Sequence, residues 1–274
     1  RNVPIMKSKD LVEWTYCNTA FTNKTRPRFE PKAGIWAPDI NYINGKYVLY
    51  YAMSVWGGEQ TCGIGVATAN SPQGPFTDHG KMFRSNEIGV QNSIDPSLLQ
   101  YEGRNYLVWG SFRGIYVIEL TADGLSIMSG AKKKRIAGTA FEAVYIHKHG
   151  DYYYMFASIG SCCQGVKSTY KVVVGRSKKV WGPYKDKTGK PMLKNGYSLV
   201  IGANDHFVGN GHGSQIIQDD AGQDWLLYHG FSRSTPENGR ILLLDQIKWD
   251  QEGWPYVEGG SPSYETQKAP VFNN

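Results

Sequence analysis

Four stretches of this chain follow one layout, and that repetition limits the fold more than any other feature. They are WAPDINYINGKYVLYYAMS (36–54), IDPSLLQYEGRNYLVWGSF (94–112), FEAVYIHKHGDYYYMFASI (141–159) and GHGSQIIQDDAGQDWLLYHGF (211–231). Each runs from a distinctive head residue through an apolar strand and a polar turn into an aromatic-rich strand. Counted back from the aromatic after the turn, Trp36, Asp95 and Glu142 lie eleven residues before Tyr47, Tyr106 and Tyr153. His212 lies thirteen before Trp225, across a longer turn. The four heads are therefore expected at equivalent positions. Further on, GIGVATANSPQGPF (63–76) matches YKVVVGRSKKVWGPY (170–184), each closing on a Gly-Pro-aromatic corner. Every unit thus offers roughly four short strands with no amphipathic helix, the mark of a propeller blade. A β-sandwich would also supply many short strands, but not special residues at one position of every repeat. The expectation is one all-β propeller domain spanning 1–274.

Innermost propeller strands surround an axis, so the heads should gather at one mouth. Asp disfavours strands and a carboxylate is costly to bury, which argues that Asp95 and Glu142 serve a site rather than a core. Paired carboxylates on rigid strands beside aromatic faces suit glycoside hydrolysis: one acid protonates the leaving oxygen while a second carboxylate activates water or attacks the sugar. His212 leaves two readings open, a neutral histidine hydrogen-bonded near the axis or a metal ligand completed by water. The Gly-rich GNGHGS (209–214) precedes no helix and lacks the lysine of a phosphate loop, so that reading is set aside.

The bulk composition is compatible with this chemistry. Aromatics make up 13% of the 274 residues and charged residues 20%, as in a folded protein with stacking surfaces. The net charge of +6 is scattered apart from Lys132–Arg135, read as a solvated loop, so no nucleic-acid partner is expected. No apolar run of membrane-spanning length occurs, and no membrane partner is expected. The four cysteines (Cys17, Cys62, Cys162 and Cys163) have no metal-type spacing; the adjacent pair either forms a strained disulfide or stays reduced.

In its ordered motifs the chain resembles glycoside hydrolase family 43, the five-bladed propeller hydrolases. The resemblance rests on WAPDI around Trp36 and Asp39, NSIDPSLL around Asp95, FEAVYI around Glu142 and the GHGSQI head. CCQGVKSTYKVVVGRS (162–177) is similar to the segment after the acid strand in the family's α-1,5-L-arabinanases. The resemblance implies an inverting arabinanase, endo or exo, in which Glu142 is the general acid and Asp95 orients it and raises its pKa. It also implies that Trp36, Asp39, Ser168 and Tyr170 meet substrate. His212 would help to hold a metal ion, expected to be calcium; no organic cofactor is implied. Loops 54–63 and 158–168 would wall the groove. The runner-up activities are a β-xylosidase or α-L-arabinofuranosidase of the same fold.

The family's general base, an Asp on the innermost strand of the first blade, has no match here. Asp10 and Glu13 fall in an outer turn. The first blade is therefore expected to be incomplete, through N-terminal truncation or loss of that strand, with the gap filled by the tail (264–274) or by a neighbouring molecule in an oligomer. Loss of the base would leave a non-catalytic carbohydrate-binding propeller. Arabinan or arabino-oligosaccharide is the expected ligand, and action on a polymer implies a secreted or periplasmic protein although no signal is visible.

Overall fold

The computed structural model describes residues 2–273. They fall into two compact units, one comprising residues up to Lys7 with Thr15–Thr139, the other Ser8–Trp14 with the chain from Ala140 onward.

The first unit holds three antiparallel sheets. β1 (Pro4–Lys7) and β2 (Thr15–Thr19) form a two-stranded ribbon. β3 (Gly34–Ile43), β4 (Lys46–Ser54), β5 (Gly63–Ala69) and β6 (Thr77–Arg84) form a meander in chain order. So do β7 (Ser97–Tyr101), β8 (Arg104–Trp109), β9 (Ile115–Glu119) and β10 (Lys134–Ala137). Strand β4, VLYYAM at its centre, is buried on both faces, as its continuous apolar and aromatic run requires. Val48, Tyr50, Ile64, Val66 and Phe83 pack with Leu98, Leu107 and Trp109 in one cluster, which joins the two meanders. A second cluster, with Phe21, Leu49, Tyr51 and Phe76, seats the ribbon on the first meander.

The second unit holds two larger sheets. β11 (Glu142–His149), β12 (Tyr152–Ile159), β13 (Lys171–Ser177) and β14 (Ser198–Ile201) form a meander. In the last sheet, β15 (Phe207–Gly211), β17 (Asp224–Ser232), β18 (Arg240–Trp249) and β19 (Pro255–Tyr256) follow one another, and β16 (Ile217–Gln218) also pairs with β17. Tyr154, Phe156, Val172 and Val174 pack with Leu226, Tyr228, Ile247 and Trp254 between these sheets. No helix among the described residues is long and apolar enough to cross a membrane.

The blade-type meander is thus seen four times, not five. The earliest sheet has two strands, and a five-blade count is not met among the described residues. Among the described residues the tail forms no strand of any sheet. It is tied instead to the turn between β16 and β17: the Val271 N–H donates to Asp219 Oδ2 at 3.0 Å, and the Asp220 N–H donates to the Val271 carbonyl at 2.9 Å.

One backbone device recurs in all four meanders. Ala37, Asp95, Ala143 and His212 have φ of 43°, 55°, 52° and 52°, in the left-handed region. Each lies seven residues before the first turn residue (Asn44, Glu102, Gly150 and Asp219). Around two of them the strand register slips by one residue, between Trp36 and Asp39 and between Glu142 and Tyr145. A bulge of this kind re-aims side chains where a strand enters its sheet. It also corrects the expected equivalence of the heads. Asp95 and His212 share the left-handed position, whereas Trp36 and Glu142 stand one residue before it.

Candidate active site

In the second unit, Glu142 opens β11 and is 8% exposed. Its Oε1 accepts a hydrogen bond from the Tyr170 hydroxyl at 2.5 Å. Burying a carboxylate is costly unless it is paired or hydrogen-bonded, and Tyr170 supplies such a partner. Tyr170 itself is 1% exposed, with its hydroxyl directed to this carboxylate. Ser168 is also buried, and its Oγ accepts from the Gln164 N–H at 3.0 Å within the loop that leads to Tyr170.

The glycines of GNGHGS explain why these groups can come so close. A Cβ on Gly211 would overlap Cδ1 of the Tyr170 ring, and one on Gly209 would sit 2.7 Å from Cβ of Ser168. The motif therefore lets β15 run against Tyr170 and Ser168, which is the close-approach use of glycine.

His212 follows Gly211, and its backbone N–H donates to Ser158 Oγ at 2.8 Å. Burial lowers the pKa of His212, the Glu142 charge opposes that shift, and Arg240 adds to it. His229 on β17 lies beside it with ring centroids 6.3 Å apart, and stacks on Tyr170 at 5.8 Å. Burial, with smaller effects from His212 and Arg240, pushes His229 down to about 3, so its ring is neutral at ordinary pH. Both His229 ring nitrogens and Asn210 Oδ1 are buried without a hydrogen-bond partner in the protein. Buried polar atoms are normally satisfied, and solvent or an ion would meet these. Calcium takes six to eight oxygen ligands. The His212 imidazole offers one nitrogen, so a calcium ion held there would take its oxygen ligands from water and from neighbouring groups.

In the first unit, Trp36 packs on Ala52, Cys62 and Ile94, and Ile94 immediately precedes Asp95. Asp95 is 6% exposed at its left-handed position before Pro96. Trp36 also meets Trp56 edge-on with centroids 6.5 Å apart; Trp56 is 82% exposed. An indole left in water beside another indole is the flat apolar surface a sugar ring needs. The sequence marks its loop, 54–63, as a wall, but nothing in the residue pattern singles out Trp56 from the other tryptophans.

Asp39 has a structural employment. Its Oδ2 accepts from the Leu98 N–H at 2.8 Å and from Asn41 Nδ2 at 2.7 Å, which ties β3 to β7. Burial raises its pKa to about 6, against the lowering effect of those two bonds. Asp10 is a turn acid: its Oδ1 accepts from the N–H groups of Val12 and Glu13 at 2.9 and 2.8 Å. In the other wall loop, Cys162 and Cys163 are joined by a disulfide, while Cys17 and Cys62 are free thiols.

Comparison with known proteins agrees with these observations. The family model described as glycosyl hydrolases family 43 matches residues 1–255. An extracellular exo-α-(1→5)-L-arabinofuranosidase of Cellvibrio japonicus is 37% identical, over 93% of this chain and 80% of the relative. An extracellular endo-α-(1→5)-L-arabinanase of Bacillus subtilis is 36% identical over the same shares. Among solved structures, an α-L-arabinanase of Cellvibrio cellulosa complexed with arabinohexaose superposes with a TM-score of 0.85 at 35% identity, covering 94% of this chain and 89% of that one. On the match of its sequence from end to end and the likeness of its fold, the chain belongs to glycosyl hydrolase family 43.

Proposed function

We propose that this chain hydrolyses α-1,5-linked L-arabinofuranosides of arabinan with inversion at the anomeric carbon. The observation that carries the reading is a buried carboxyl, Glu142, held through one oxygen by the Tyr170 hydroxyl, in a chain whose relatives are named for cleaving this linkage. In the proposed step Glu142 delivers a proton to the departing glycosidic oxygen, while water attacks from the other side of the sugar under a general base. Tyr170 fixes the carboxyl, and so acts as a positioning residue. By likeness to the family's motif, Asp95 is given the role of keeping Glu142 protonated, the effect a negative charge has on the ionisation of an acid. Trp36 and Trp56 receive sugar faces. A hydrated cation on His212 would supply positive charge near Glu142, and no step of the reaction runs through it. The base is assigned to no residue of this sequence.

The fold completed to five blades, with the β1–β2 ribbon as part of the first, belongs to the same reading, as does export to meet a polymer. The relatives' extracellular names support the latter. Digestion of linear arabinan, with products resolved by chromatography, tests the proposal. A ladder of oligomers indicates internal cleavage and a single small product indicates cleavage from an end. Retained binding without any product would overturn hydrolysis and leave a sugar-binding protein.

A further inference from the structure

Far along β11 from Glu142, a second cluster of side chains has no part in the reaction above. His147 and His149 sit two residues apart on this strand and therefore project from one face of it. Asp224, the first residue of β17, faces them from the next sheet of the same unit. One ligand atom from each of the three residues lies within 4.8 Å of the others. His149 Nδ1 approaches Asp224 Oδ2 to 3.7 Å. Ligand atoms of a tetrahedral zinc ion stand about 3.4 Å apart, so small side-chain rotations close the set.

The surroundings hold these groups in place. Asp224 is 4% exposed, and it accepts from Trp249 Nε1 at 2.7 Å on Oδ2 and from Gln218 Nε2 at 3.1 Å on Oδ1. Each oxygen keeps capacity for a further partner. The His149 ring lies flat on the Trp249 indole, with centroids 3.7 Å apart and planes 7° from parallel. Support of this kind, which orients ligands from behind, is what distinguishes a built metal site from a chance cluster. The two histidines are half-buried, so an ion could reach them from solvent.

We propose that His147, His149 and Asp224 bind a zinc ion, with water in the fourth position. Two imidazoles and one carboxylate are ligands that suit zinc among the divalent metals available to a protein, whereas calcium asks for oxygen. His147 and His149 stand five and seven residues along the strand from Glu142, some 17 to 23 Å at strand rise, so the ion does not serve the proton transfer. It would fasten the first strand of one sheet to the central strand of the next, which is a structural role.

Isothermal titration of the chelator-stripped chain with zinc chloride, paired with thermal unfolding, tests this. The expected result is one zinc per chain, a rise in Tm with zinc, and at least a roughly tenfold weaker association in H147Q and in H149Q. If H147Q fails to fold, H149Q, at the more exposed end of the strand, decides alone. Absence of binding at 100-fold excess of zinc, or binding of unchanged strength in the folded variants, would overturn the proposal.

Discussion

At the scale of single residues, two carboxyls at strand heads carry the account. Both were legible because each contradicts its surroundings: Asp95 precedes Pro in an apolar entry and Glu142 opens an apolar strand. The one-residue offset between them was not legible, because it depends on a left-handed residue inserted by the bulge, and alignment on aromatics hides an insertion. Counting from the turn recovers it, since Ala37, Asp95, Ala143 and His212 then coincide. The hydrogen bond from Tyr170 to Glu142 was not legible in the sequence, which marks Tyr170 only as a residue expected near substrate. Tyr170→Phe removes that donor with little change of volume, and kcat on arabinan is expected to fall about ten- to a hundredfold with KM little changed, since a misplacement of about 1 Å can cost about a hundredfold. An unchanged kcat would remove Tyr170 from its positioning role. Asp95→Asn takes away a negative charge, and the alkaline limb of the pH–rate profile is expected to move to lower pH. A limb that stays in place would count against the role given to Asp95.

At the scale of elements, the strands announced themselves through alternation, turn chemistry and aromatic runs, and the four meanders follow the repeats read from sequence. The function of the glycines in β15 did not, because close approach is a property of the partner surface and leaves no mark in the strand's own pattern. Gly211→Ala would drive a methyl group into the Tyr170 ring. Both the strand and the ring are buried, so the overlap cannot be relieved by solvent exposure. Overpacking of this sort costs about 1–3 kcal/mol. The expected outcome is a lower midpoint in urea together with a loss of activity larger than that of Tyr170→Phe. Unaltered stability would mean that β15 does not run against Tyr170 as described. The His-x-His of β11 also escaped notice in sequence, since its carboxylate partner lies 75 residues beyond His149 in the chain.

At the scale of the whole molecule, family and fold were legible from ordered motifs spread along the chain, whereas the protonation behaviour depends on burial that no linear pattern reports. Two effects of opposite sign follow. His229 has a folded pKa of about 3, below its ordinary value of 6.5. Its contribution is present above pH 6.5 and is lost as pH falls, because the unfolded chain takes up the proton first. Asp39 has a folded pKa of about 6, above its ordinary 3.8. The folded state holds that proton longer, so the Asp39 contribution declines as pH rises from near 4 to near 6. Asp39→Asn keeps an oxygen for the Leu98 N–H and removes the titration. Its stability relative to the unsubstituted chain is expected to improve across that window and to level off above it; a pH-independent difference in urea unfolding would contradict the burial of this carboxyl. The central claim, however, concerns proton delivery by Glu142, and one comparison reaches it directly: the rates of Glu142→Ala and the unsubstituted chain on linear arabinan and on an aryl arabinoside with a good leaving group. A leaving group that departs without a proton should spare the variant, so arabinan cleavage is expected to fall by about two to four orders of magnitude and aryl arabinoside cleavage by far less. Equal losses on both substrates would contradict general-acid catalysis by Glu142.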